Sequence, residues 1–207
     1  DDRLAGALAA LGDRAVGLAA DLAEPTTGRR AAHLALDTFG RLDGAFVSVG
    51  GPPTGAALGN TDDEWRAAFD SVFLAAVRVT RAVVEVAGGP VRLAYVLSTS
   101  VKSPIPGLAI SNGLRPGLAM WIKQLAAELG PQGSRAVGLL PGTIRTERIG
   151  ALYDTPEKQA ANARSIPLRR FGEPAEFGRV AAFCLSDAAS YLTGSVIAVD
   201  GGLLPAL

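Results

Sequence analysis

Val91-Arg92-Leu93-Ala94-Tyr95-Val96-Leu97, followed by Ser98-Thr99-Ser100, the helical pattern of Ala109–Leu129, and Ala136-Val137-Gly138-Leu139-Leu140-Pro141-Gly142, is the stretch that decides the fold. Two short β-prone runs flank a long helix. A strand buried on both faces reads as a continuous apolar run rather than an alternating one, and two such strands joined through a helix lie parallel.

Working outward, the same alternation continues. Upstream, Leu42–Val49 reads as a buried strand, and Asn60-Thr61-Asp62-Asp63-Glu64 caps a long helix running to about Val86. Pro25-Thr26-Thr27 opens a helix that Gly40 closes after Phe39, Ala15–Ala20 reads as another buried strand, and Arg3–Leu11 as a helix stopped by Gly12. Downstream, Pro156–Ser165 and Pro174–Ser186 are helical and Ser195–Val199 is the last strand. The pattern predicts one α/β domain, a doubly wound parallel sheet with helices on both faces. Ligands bind beyond the carboxyl ends of such strands, so Asp21, Gly50-Gly51, Ser98-Thr99-Ser100 and Pro141-Gly142 fall on one functional rim.

Composition narrows the partners. Twenty basic residues balance 20 acidic ones in 207, which leaves no electrostatic footprint for nucleic acid or an anionic membrane and favours a small-molecule substrate. No run approaches the roughly 20 apolar residues of a membrane helix, and no signal pattern opens the chain, so a cytoplasmic protein is expected. The lone Cys184 sits in the apolar run Val180–Leu185 and reads as a buried structural thiol.

Several strand ends carry further pattern. Asp21-Leu22 follows the first strand run; Val47-Ser48-Val49-Gly50 ends the next; Pro141-Gly142-Thr143-Ile144-Arg145-Thr146 follows a third. The most specific series is Arg170-Phe171-Gly172-Glu173-Pro174-Ala175-Glu176-Phe177, then Ser186-Asp187, Tyr191-Leu192-Thr193-Gly194 and Val199-Asp200-Gly201-Gly202. In order and spacing this chain resembles the short-chain dehydrogenase/reductase family along essentially its whole length. The resemblance implies a Rossmann-type sheet and NAD or NADP as cofactor. It implies cofactor contacts at Asp21 and Leu22 beside the adenine, at Ser48, Val49 and Gly50, and at Pro141, Gly142, Ile144 and Thr146 around the nicotinamide. Asn-Asn-Ala-Gly is the family's usual ending where this chain has Val47-Ser48-Val49-Gly50.

The family's Gly-rich phosphate loop, between its first strand and first helix, has no counterpart here. One strand–helix–strand unit, about 30 or more residues, is expected upstream of Asp1. Without it Ala15–Ala20 lacks neighbours, and each unpaired buried backbone group costs about 1 to 3 kcal/mol.

The family transfers a hydride between nicotinamide and a carbonyl or alcohol carbon while a Tyr hydroxyl handles the proton and a Lys one helical turn on holds the ribose. Here the Tyr position holds Ser111, the Lys position Arg115 and the helix Asn position Val72; the strand-end Ser is present, as Ser100 by local pattern or Ser98 by spacing. Strand alternation puts both of those on one face. An alkyl hydroxyl is a far weaker acid than a phenol of pKa about 10, and Arg cannot give up a proton near neutrality. Read without the resemblance, Ser111 and Arg115 are a helix cap and a solvated charge. Tyr153, on the segment that covers the substrate in this family, is a lesser candidate that reads as packing; Trp65 and Trp121 read as core or subunit interface, His33 as helix surface, and Lys123 as rotated off the Arg115 face. The resemblance implies an NAD(P)-dependent oxidoreductase acting on a ketone or secondary alcohol, of the 3-oxoacyl kind, with an altered proton donor, assembled as a homodimer or homotetramer. The rival is a catalytically silent dinucleotide-binding or scaffold subunit.

Overall fold

The computed structural model describes residues 2–205, which form a four-stranded sheet in the order β1 (Gly44–Val47), β2 (Arg92–Val96), β3 (Arg135–Pro141) and β4 (Val196–Val199). Every pair is parallel. Alternation along the central strands divides the core between the two faces. Leu93, Tyr95 and Leu97, with Ala136 and Leu140, meet Leu118 and Ile122 of α5 (Ala109–Leu129). Ala94, Val137 and Leu139 point the other way, onto Phe177, Ala181 and Cys184 of α8 (Pro174–Leu185). Each fully buried Leu or Ile of this set contributes about 1.5–3 kcal/mol of transfer free energy.

The first face also takes a long helical run. It comprises α3 (Asp62–Ala68), a π-helical turn (Phe69–Leu74) and α4 (Ala75–Ala87). The expected cap is present as a reciprocal box: the Glu64 N–H donates to Thr61 Oγ1 at 3.3 Å and the Thr61 N–H to Glu64 Oε2 at 2.8 Å. Behind α4 lies α2 (Thr27–Phe39), closed by Gly40 in the left-handed region. The buried Tyr95 hydroxyl pairs with Thr80 Oγ1 at 2.8 Å, and burial pushes its pKa up. Trp121 meets Tyr95 edge-on, and Trp65 lies so close to Gly113 of α5 that an added Cβ there would sit 2.9 Å from its ring; both Trp residues pack, as expected.

One predicted strand is absent. Ala15–Ala20 runs without regular structure after α1 (Asp2–Leu11) and a short 3₁₀ turn, and Val16 is 40% exposed. A strand exists only through a neighbour's hydrogen bonds, and among the described residues no strand lies beside this segment. The Leu42–Val49 run also yields only the four residues of β1, an edge strand with Phe46 41% exposed. Between β3 and α8 the chain forms α6 (Glu147–Leu152) and α7 (Pro156–Ser165). The first escaped the sequence pattern because six residues are too few to display a helical period.

Candidate active site

Beyond the carboxyl ends of β2 and β3 opens a cavity of about 710 Å³, within the range of small-molecule sites. Its floor comes from the central strands and α5: Ser98 and Thr99 after β2, Ser111 and Arg115 on α5, and Pro141-Gly142-Thr143 leaving β3. Ile149 and Leu152 of α6, Tyr153 just after it, and Asn162 of α7 close one side. Ile105, Leu108 and Leu204 make much of the remaining wall apolar.

The two candidate serines separate. Ser98 is half-buried on the cavity wall, and its Oγ accepts the Ser100 N–H at 3.1 Å, leaving its own proton to donate outward. Ser100 is 4% exposed, off the cavity, with its Oγ 3.4 Å from Ser111 Oγ. The alternation that would have put both on one face does not apply. The strand ends at Val96, and Thr99–Val101 is a 3₁₀ turn that rotates Ser100 away.

Ser111 and Arg115 are not a cap and a solvated charge. Ser111 lies inside α5, 6% exposed, and Arg115 one turn later is 4% exposed. The Arg115 guanidinium donates to the Val96 carbonyl at 2.7 Å and the Gly50 carbonyl at 3.2 Å, tying the end of β2 to the loop after β1. Val72, at the family's Asn position, is 1% exposed and belongs to the core.

The residues proposed around a dinucleotide are scattered along the rim. Pro141 and Gly142 line the cavity. Asp21 is exposed, its Oδ1 accepting the Ala23 N–H at 2.8 Å, while Leu22 packs on the core. Ser48 and Gly50 are exposed and Val49 is buried, so Val49 has only its main chain to offer. Ile144 packs on the α8 face and bridges to Gly172; Thr146 caps α6 by accepting the Ile149 N–H at 3.4 Å.

The 170–177 series is explained physically. Arg170 forks onto both carboxylate oxygens of Glu176 at 2.7 Å each, and Glu176 also accepts the Glu173 N–H at 2.8 Å, with Pro174 in the first turn of α8. These bonds hold the Glu176 carboxyl down to about 2. Phe171 is thereby fixed under Arg145, 5.5 Å from the ring centroid, and against Tyr153, 5.6 Å between rings.

His33 is exposed on α2, Lys123 is exposed on α5, and Cys184 is 2% exposed, its pKa raised by burial. Among the described residues no cluster of His, Cys, Asp and Glu suits a metal, and no helix is long and apolar enough to cross a membrane. Sequence reading ranked Tyr153 low and left Thr143 and Asn162 out. Their signal is a pair of side-chain contacts between separate elements, 9 and 19 residues apart, which helical or strand spacing does not show.

Residues 1–204 match the family model described as enoyl-(acyl carrier protein) reductase. An uncharacterized oxidoreductase of Mycobacterium tuberculosis is 32% identical over 98% of this chain and 78% of its own length. The L-rhamnose 1-dehydrogenase (NAD(P)+) of Azotobacter vinelandii is 29% identical over 97% of this chain and 79% of its own. Among solved structures, the NADPH-bound short-chain oxidoreductase of Pseudomonas aeruginosa PAO1, described as containing an atypical catalytic center, superposes with a TM-score of 0.91 at 26% identity, covering 100% of this chain and 84% of that one.

Proposed function

The chain belongs to the short-chain dehydrogenase/reductase family and is an oxidoreductase using NAD or NADP; from that premise we propose that it interconverts a ketone and a secondary alcohol on an uncharged, largely apolar small molecule, with an altered proton donor. One observation carries the reading. Ser98, at the mouth of the central strands, presents a hydroxyl whose proton is not consumed by the protein to a cavity walled by apolar side chains.

The residues present suit the nicotinamide half of a dinucleotide. The cavity floor offers serine and threonine hydroxyls, main-chain groups at Pro141-Gly142 and one guanidinium, a donor set for a carboxamide and ribose hydroxyls. An added Cβ at Gly50 would meet nothing within 4 Å, so its backbone is open to close approach. In this reading Pro141, Gly142, Ile144 and Thr146 hold the nicotinamide end, Arg115 sets a positive charge beside the ribose, and Ser48, Val49 and Gly50 continue the path toward Asp21 and Leu22. A bound dinucleotide supplies or takes up the hydride. Ser98 donates to the carbonyl oxygen, and Ser100 with Ser111 supports the floor behind it.

The test follows reduced-cofactor oxidation against a panel of apolar ketones, alongside cofactor titration. Ser98→Ala is expected to lower kcat/KM about 100-fold or more, with the NADPH Kd changed by less than about twofold. The second reading, a catalytically silent dinucleotide-binding or scaffold subunit, is favoured by the loss of the phenol at position 111. It requires tight cofactor binding with no turnover on any ketone. A cytoplasmic location and a homodimer or homotetramer complete the proposal, the subunit contact falling on the exposed Phe69 and Met120.

A further inference from the structure

Reduction of a ketone needs a proton on the oxygen, and α5 offers none of adequate acidity. The Ser111 hydroxyl is an alkyl alcohol, 6% exposed, whose nearest polar partner is the Ser100 hydroxyl. Arg115 keeps its proton at any physiological pH and holds two carbonyls. A phenol nonetheless lines the same cavity. Tyr153 follows α6, and its backbone N–H is bonded to the Ile149 carbonyl at 2.9 Å and its carbonyl to Gln159 Nε2 at 3.0 Å. Its ring rests on Phe171, which the Arg170–Glu176 fork holds in place.

The hydrogen bonding of that phenol has a direction. Thr143 Oγ1 donates to Asn162 Oδ1 at 3.2 Å, which orients the amide so that its Nδ2 donates to the Tyr153 hydroxyl oxygen at 2.9 Å. The phenol thus accepts from the protein and keeps its own hydrogen to give. Thr143, Asn162 and Tyr153 all line the same cavity as Ser98.

We propose that Tyr153, oriented by Asn162 and Thr143, is the proton donor that replaces the phenol missing from α5. This rests on the oxidoreductase reading above. The substrate carbonyl is reduced: its carbon gains a hydride, with two electrons, from a dihydronicotinamide, the C=O π pair moves to oxygen, and that oxygen takes the Tyr153 proton. Water returns a proton to the phenolate. Tyr153 is a catalytic residue in this scheme and Asn162 a positioning residue.

The experiment compares wild type, Tyr153→Phe, Ser111→Ala and Asn162→Ala in the full chain, with NADPH and an apolar aryl ketone. Phe keeps the ring that packs on Phe171, so the fold is retained, and a circular-dichroism melt checks it. The expected result is a loss of about 100-fold or more in kcat for Tyr153→Phe, at least about tenfold greater than the loss for Ser111→Ala, whose hydroxyl belongs to the cavity floor. The NADPH Kd, read by fluorescence, stays unchanged in Tyr153→Phe. Asn162→Ala is expected to lower kcat with KM held, and Asn162→Gln to restore part of it, a split that loss of packing alone would not produce. Tyr153→Phe turning over within about threefold of wild type, with Ser111→Ala inactive, would overturn the assignment and leave the oxidoreductase standing. Wild type binding NADPH but reducing no ketone would overturn both.

Discussion

Arg115 shows how far a residue's place can differ from its type. A guanidinium at 4% exposure, donating to the carbonyls of Val96 and Gly50, is a brace between two strand ends as well as a charge in the cavity wall. Arg115→Ala leaves the part-buried Val96 carbonyl without its guanidinium, while the exposed Gly50 carbonyl passes to water, and is expected to cost about 1–3 kcal/mol in urea unfolding; Arg115→Lys keeps the charge without the fork and falls between. The sequence alone showed that the family's Lys was replaced; it did not show the brace, because the acceptors are main-chain atoms 19 and 65 residues away. Ser98 and Ser100 were inseparable for a related reason, since strand alternation is silent about where a strand ends. The serine whose Oγ receives the N–H two residues later opens the 3₁₀ turn, and Ser98 is that serine. Cys184 was legible from its apolar neighbours. At 2% exposure, with its pKa raised by burial, it is expected to resist thiol reagents in the native protein and to react once unfolded.

At the scale of elements, periodicity recovered what is long or capped. Helix α5 spans Ala109–Leu129 as expected, and α8 starts at Pro174 where the Glu173–Glu176 box places it. Segments whose structure depends on a neighbour were not recoverable from their own residues. Ala15–Ala20 is as apolar as a strand yet makes no ladder, and the π turn Phe69–Leu74 interrupts a helix that reads as continuous. The fork of Arg170 on Glu176 holds the Glu176 carboxyl at about 2 against an ordinary 4.5. A depressed carboxyl contributes stability above its unfolded value and loses it as pH falls through the folded one. Wild type is therefore expected to melt at steadily lower temperature as pH drops from about 4.5 toward about 2, and Glu176→Gln to show a flatter profile across that window. Both side chains are substantially exposed, so the effect should shrink in high salt.

Taken whole, the molecule is a parallel sheet whose two cores lie back to back and whose cavity opens at one end of the central strands. The face carrying Phe69, Phe73 and Met120 is where the middle helices meet: Phe73 lies 3.4 Å from the position of a Cβ on Gly117, and Met120 is 71% exposed. On the proposed homodimer or homotetramer, Met120→Glu is expected to shift the protein toward monomer in sedimentation, with its cofactor affinity kept. At the carboxyl ends of the strands, the Ser98 cavity is proposed to reduce ketones although position 111 carries no phenol. The most direct measurement is the absorbance of bound NADPH in a single turnover with an apolar ketone. The expected result is ketone-dependent oxidation that Ser98→Ala slows about 100-fold or more and Ser111→Ala slows far less. NADPH that binds and stays reduced with every ketone, or oxidation indifferent to Ser98→Ala, would contradict it.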